Sequence, residues 1–100
     1  MIFSVDEQNI QTRNAMEIAS FPEKFSDEIT VEINADAEDH CIIILSNQVG
    51  RILRMMGVNV NQGINKIQMD NVKALESGIY QLSVKNTHSS ILYTSIVTKF

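Results

Sequence analysis

Two histidines, one cysteine and a short acidic run are the residues of this chain whose types could do chemistry. His40 and Cys41 are neighbours at a predicted strand start, and His88 falls in a predicted hairpin turn. A zinc site takes three or four protein ligands, and no Cys-x-x-Cys or His-x-x-x-His pair accompanies these residues. Surface histidines and a buried small thiol are expected, since burial is the default for cysteine. Cys41 opens an apolar run, which raises a thiol's pKa and blunts it as a nucleophile. Asp36, Glu38 and Asp39 are spaced as calcium ligands can be, but the central glycine and distal bidentate glutamate of an EF-hand are missing. A solvated hairpin loop accounts for them more simply. Serines are plentiful, yet none stands in a Gly-x-Ser-x-Gly elbow. The four glycines lie too far apart to form a phosphate-cradling loop. No catalytic residue, cofactor or metal is expected, and an enzyme is not predicted.

The elements that must position any site are short and extended. The chain has 100 residues, 44% hydrophobic and 20% charged, which fits one globular domain. Its longest apolar run, Cys41 to Leu45, falls far short of the ~20 residues a membrane-crossing helix needs, so no membrane span is expected. The net charge is −4 and the basic residues are scattered, which argues against a nucleic-acid partner. A single cysteine closes no intramolecular disulfide, so stability must come from packing. Met1 to Gln8 lacks the charged and apolar regions of an export signal. The expectation is either a cytoplasmic protein or a piece of a longer one.

From Val5 to Ser20 the sequence is polar, with apolar residues thinly spread at Ile10, Met16 and Ile18. A connector is predicted, with a short strand over Glu17 to Ser20; a frayed helix over Asp6 to Met16 is the alternative. Phe21-Pro22 punctuates the chain, because proline biases the preceding residue away from the helical region. Beyond it, Ile29, Val31 and Ile33 alternate with polar residues, the period of a half-buried strand. His40 to Ser46 predicts a central strand. Arg51 to Val60 predicts another, kinked near Gly57, and Ile64 to Met69 places Ile67 and Met69 on one face. Val72 and Leu75 are expected to tuck under the fold. Tyr80, Leu82 and Val84 alternate within Ile79 to Lys85, and Ile91 to Thr98 closes the pattern. Gly50, Gly63 and Gly78 each precede a strand, where turns need unusual backbone angles. Tyr80, with its ring turned inward, is expected to anchor a corner through its hydroxyl. Turn signals every ~8–12 residues with no clear helix predict an all-β fold, an immunoglobulin-like antiparallel sandwich of about seven short strands.

Taken in order, several segments resemble one family, the type A C-terminal sorting domain of the type IX (Por) secretion system. Phe21 to Asp27 followed by Ile29-Thr30-Val31 is similar to the Tyr-Pro-Asn-Pro-Phe opening of that domain. Ile42 to Leu45 leading into Gly50-Arg51-Ile52-Leu53 resembles its strand, turn and Gly-Arg-Val segment. Gly63-Ile64-Asn65 with Ile67 and Met69 is similar to its Gly-x-Asn-x-Ile-x-Leu step. Leu75 to Tyr80 matches Leu-x-x-Gly-Ile-Tyr, and Ile96 to Lys99 resembles the final strand. The family's Asn-Pro is replaced by Glu23-Lys24, and its basic tail is reduced to Lys99.

The resemblance implies a non-catalytic signal domain over residues 21–100, preceded by a polar connector over residues 1–20 from a larger cargo protein. It implies that an outer-membrane translocon recognises the domain, that a surface sortase removes it, and that the cargo is secreted or held at the cell surface. Pro22, Gly50, Arg51, Gly63, Gly78, Ile79, Tyr80 and Lys99 are the motif positions it marks as structural or recognition residues. Two other functions compete. One is an accessory fibronectin-like module, binding carbohydrate or protein beside a secreted enzyme, for which exposed aromatic rings would speak. The other is an intracellular β-domain that dimerises through an edge strand.

Overall fold

Alternation of β-branched and polar residues over short stretches leaves this chain one economical way to bury its apolar side chains: paired strands stacked as two layers. The computed structural model describes residues 16–69 and 71–100. Among them are eight strands: β1 (Met16–Phe21), β2 (Lys24–Phe25), β3 (Ile29–Ala35), β4 (Asp39–Ser46), β5 (Ile52–Val60), β6 (Gly63–Met69), β7 (Gly78–Asn86) and β8 (Ile91–Lys99). One sheet has the order β1-β3-β6 and the other β2-β8-β7-β4-β5. All pairings are antiparallel except the short parallel contact of β2 with β8. The all-β sandwich expected from the sequence is the observed architecture, with one more strand than the seven predicted. Among the described residues no helix is long and apolar enough to cross a membrane.

The core lies between the layers. Ile29, Val31 and Ile33 are fully buried from the smaller sheet, facing Ile43, Leu45, Leu82, Val84 and Val97 of the larger one. Each such side chain stabilises the fold by roughly 1.5–3 kcal/mol through removal from water. Val72 is also fully buried and Leu75 packs against the core, so the β6–β7 connection closes the sandwich at one end, as its sequence predicts.

Two irregularities depart from simple alternation. Gly57 pairs regularly with Ile42, so the kink expected near it does not occur there. The register shifts instead where Leu45 pairs with Arg54 and Ser46 with Ile52, leaving Leu53 unmatched. A second shift, at Val84/Lys85, leaves Leu92 unmatched opposite β7. An extra residue in one strand re-aims the side chains around it. Leu53 and Met56, three apart, thereby both pack on the core, as do the consecutive Leu92 and Tyr93. Ile52 and Met55 are left outside.

The strand predicted over Glu17 to Ser20 is β1, one residue longer at each end, and it pairs along its whole length with β3. The remainder of the predicted connector and the alternative helix lie outside the described residues, apart from Met16, which is in β1.

Candidate recognition surface

One end of the sandwich is built from three segments that turn back on themselves: the β4–β5 turn, the β6–β7 connection, and the residues around β2 held against the end of β8. In the first, the Asn47 carboxamide oxygen accepts from the backbone N–H groups of Val49 (3.1 Å) and Arg51 (2.9 Å). Asn47 N donates to Arg51 O and Gly50 N to Asn47 O, both at 3.0 Å. Gly50 has φ +87°, a left-handed conformation that costs a residue with a Cβ. The turn thus fixes the backbone of Arg51 while its side chain stays exposed.

In the second segment the Tyr80 hydroxyl donates to Glu76 O at 2.6 Å. The Tyr80 ring is buried and meets Phe25 edge-on, with centroids 6.3 Å apart and planes at 61°. This is the corner expected of Tyr80, and it fixes the approach to Gly78 and Ile79. In the third, Thr98 N donates to Glu23 O (2.8 Å) and Phe100 N to Phe25 O (3.0 Å). The Phe21–Pro22 peptide is cis. Lys99 pairs with both Phe25 and Gly78.

Seven of the eight predicted positions therefore gather at one end: Pro22, Gly50, Arg51, Gly78, Ile79, Tyr80 and Lys99. Four of them, Arg51, Gly78, Ile79 and Tyr80, line one open groove of about 560 Å³ floored by Leu53 and Leu75. Gly63 does not join them. It begins β6 opposite Ala35, at the far end of the molecule. Charge follows the same division. Lys24, Arg51, Arg54, Lys73 and Lys99 lie at the grooved end, interspersed with Glu23, Asp27, Glu28 and Glu76, whereas Asp36, Glu38 and Asp39 cluster at the other.

Sequence reasoning passed over three asparagines that hold the turns. Besides Asn47, Asn65 shares the two N–H bonds of Nδ2 among Ile33 O, Asn61 O and Gly63 O and accepts from Asn61 N. Asn86 accepts from the N–H groups of His88 and Ser90. Asparagine ahead of a turn is itself a signal, because its side chain mimics a backbone turn.

His40 and His88 are exposed, and among the described residues no group of three or more His, Cys, Asp or Glu is arranged to hold a metal ion. Cys41 is buried in the core, and burial pushes its thiol pKa up, with a smaller contribution from Asp39. Tyr93 is half-buried with its hydroxyl 2.8 Å from Ser20 Oγ, so neither tyrosine offers an exposed ring, and the exposed aromatic rings among the described residues are those of Phe21 and Phe100.

A family model described as the secretion system C-terminal sorting domain matches residues 19–98, from within β1 almost to the end of β8. The chain belongs to this family. The sorting domain is a type IX secretion signal, non-catalytic as a family, attached to cargo that is secreted or placed at the cell surface. No curated protein matches the sequence. Among solved structures, a β-glucosidase from Kluyveromyces marxianus is similar with a TM-score of 0.54 and 14% identity over 88% of this chain and 15% of that one. A Bifidobacterium adolescentis GH3 β-glucosidase gives 0.52 and 15% over 85% and 17%. A β-glucosidase from Listeria innocua gives 0.51 and 10% over 89% and 16%. The sorting domain spans less than a fifth of each enzyme's length, and likeness at this identity concerns the fold alone.

Proposed function

We propose that residues 21–100 are the address by which an outer-membrane translocon recognises a larger exported protein, and that a surface sortase then removes them. Residues 1–20 join the address to its cargo, with scission in or near that polar segment. The observation that carries this reading is the convergence of the family's motif residues at one end of the sandwich. Packing accounts for Tyr80, and backbone geometry for Gly50. It does not account for Arg51 or Ile79, which are exposed beside a groove that nothing else in the fold requires. A guanidinium offers a fork of donors suited to a carboxylate, and Ile79 beside it offers apolar contact.

The test fuses residues 1–100 to a reporter bearing an N-terminal export signal in a type IX-competent host. Surface or extracellular reporter supports the address. Periplasmic retention, with a working sorting domain as positive control, overturns it. Arg51→Glu and Ile79→Asp should each lower export while leaving the far-ultraviolet circular dichroism unchanged.

A further inference from the structure

We propose that β5 is a self-pairing edge, through which two copies of this domain join antiparallel into one continuous sheet. This goes beyond the sorting role and does not depend on it. An open strand edge presents unpaired N–H and C=O groups, and proteins ordinarily blunt such edges with charge, proline, bulges or a covering segment. Three of the four edges here are treated in that way. β1 carries Glu17, is followed by Pro22, and is tied across to β8 through Ser20 and Tyr93. β6 carries Lys66 at its centre. β8 is paired by β2 only at Thr98 and Lys99, and over the rest of its length it bulges at Leu92 and is tied to β1 through Tyr93.

The edge of β5 is the least guarded of the four over Arg54 to Val60. It spans nine residues, has no proline, and no described strand pairs with its outer side. From Arg54 to Val60 its register is regular, the bulge being confined to Leu53. Its one charged residue, Arg54, is folded back, with Nε donating to Asn71 O and a terminal nitrogen to Leu53 O at 2.8 Å. The charge is thus spent on the domain's own carbonyls and does not guard the edge.

The composition of the strand favours a second copy as the occupant. A two-fold axis at Met56 sets Met55 of each copy opposite Gly57 of the other, and Arg54 opposite Val58. Contacts in such an isologous interface occur twice. Met55 and Gly57 both lie on the outer face of the larger sheet, Met55 being 58% exposed. At Gly57 a Cβ would meet nothing within 4 Å, so there is room for a flexible thioether. Arginine never faces arginine in this register. On the inner side, Val58 of the second copy faces a recess of about 190 Å³ lined by Arg54, Met56, Met69 and Val72. On the outer side, Ile42 and Met55 of each copy lie in one band across the joined sheet, beside Ile44, which is already buried in the single copy. Backbone hydrogen bonds supply affinity in such strand addition, and side-chain pockets supply selectivity.

The test is sedimentation equilibrium of the 100-residue chain over about 1 μM to 1 mM, the range that spans weak association. A monomer–dimer equilibrium is expected. Gly57→Lys occupies open space in the monomer and Met55→Glu is already exposed, so each should keep the wild-type fold while weakening association by about tenfold or more. Combining Met55→Glu with Gly57→Lys sets opposite charges across the axis twice and should recover most of the lost affinity. A chain that stays monomeric throughout overturns the proposal and leaves the edge to a foreign strand. So does a dimer indifferent to both single substitutions, or a double variant no tighter than the singles, because each places the contact elsewhere.

Discussion

At the scale of single residues, the side chains that hold this molecule act through main-chain partners. Tyr80 is the clearest case: its ring is buried and its hydroxyl reaches Glu76 O. Tyr80→Phe keeps the packing and removes the hydrogen bond, leaving a carbonyl near the surface. The expected loss is about 1 kcal/mol, read as a lower urea midpoint at unchanged slope. Asn65 ties four main-chain groups together, so Asn65→Ala should cost more than Tyr80→Phe in the same measurement. Cys41 gives a pH dependence of defined sign. Its folded pKa is raised, chiefly by burial, so the native state holds the proton more tightly than the unfolded chain. Its stabilisation is intact below the ordinary thiol pKa of ~8.5 and is lost as pH rises from there through the folded value. Cys41→Ala should flatten part of the alkaline loss of stability. Thiol reagents should label native protein far more slowly than urea-unfolded protein.

At the scale of elements, turns and register carry the information that strands alone lack. The Gly50 turn places Arg51 at the groove, and its left-handed φ makes Gly50→Ala costly by about 1–2 kcal/mol, measurable by thermal unfolding. The strands themselves were legible, because Ile29, Val31 and Ile33, and likewise Tyr80, Leu82 and Val84, keep strict period two. The bulges were not. Ile52, Leu53, Met55 and Met56 are all apolar, so hydrophobicity alone fits either phase, and only pairing with β4 decides which residues face inward. The kink expected at Gly57 failed for a related reason. Glycine permits distortion but does not impose it, and at Gly57 the pairing with Ile42 holds the strand regular.

At the scale of the whole molecule, a domain of this size has net stability of about 5–15 kcal/mol. Truncating a residue at its centre removes a large share: Leu82→Ala should cost about 2–5 kcal/mol and shift the fold toward unfolding at 37 °C. If export depends on the folded sandwich, that substitution should abolish reporter secretion along with the circular dichroism signal. Arg51→Glu should separate the two, lowering secretion without unfolding. The candidate site was legible only as a set of motif positions. Pro22, Gly50, Arg51, Gly78, Ile79, Tyr80 and Lys99 are spread over 78 residues of sequence, and nothing in their spacing places them together.

The sequence by itself determined the all-β class, most of the strands, the inward-facing side chains of β3 and β7, and membership of the sorting-domain family. These follow from local alternation and from short motifs, which survive without knowledge of neighbours. Only the tertiary structure decided which strands lie at the edges, where the register shifts, and that seven motif residues share one end while Gly63 stands at the other. Such features depend on pairing between distant segments, and a residue's place along the chain holds no record of its partner across a sheet.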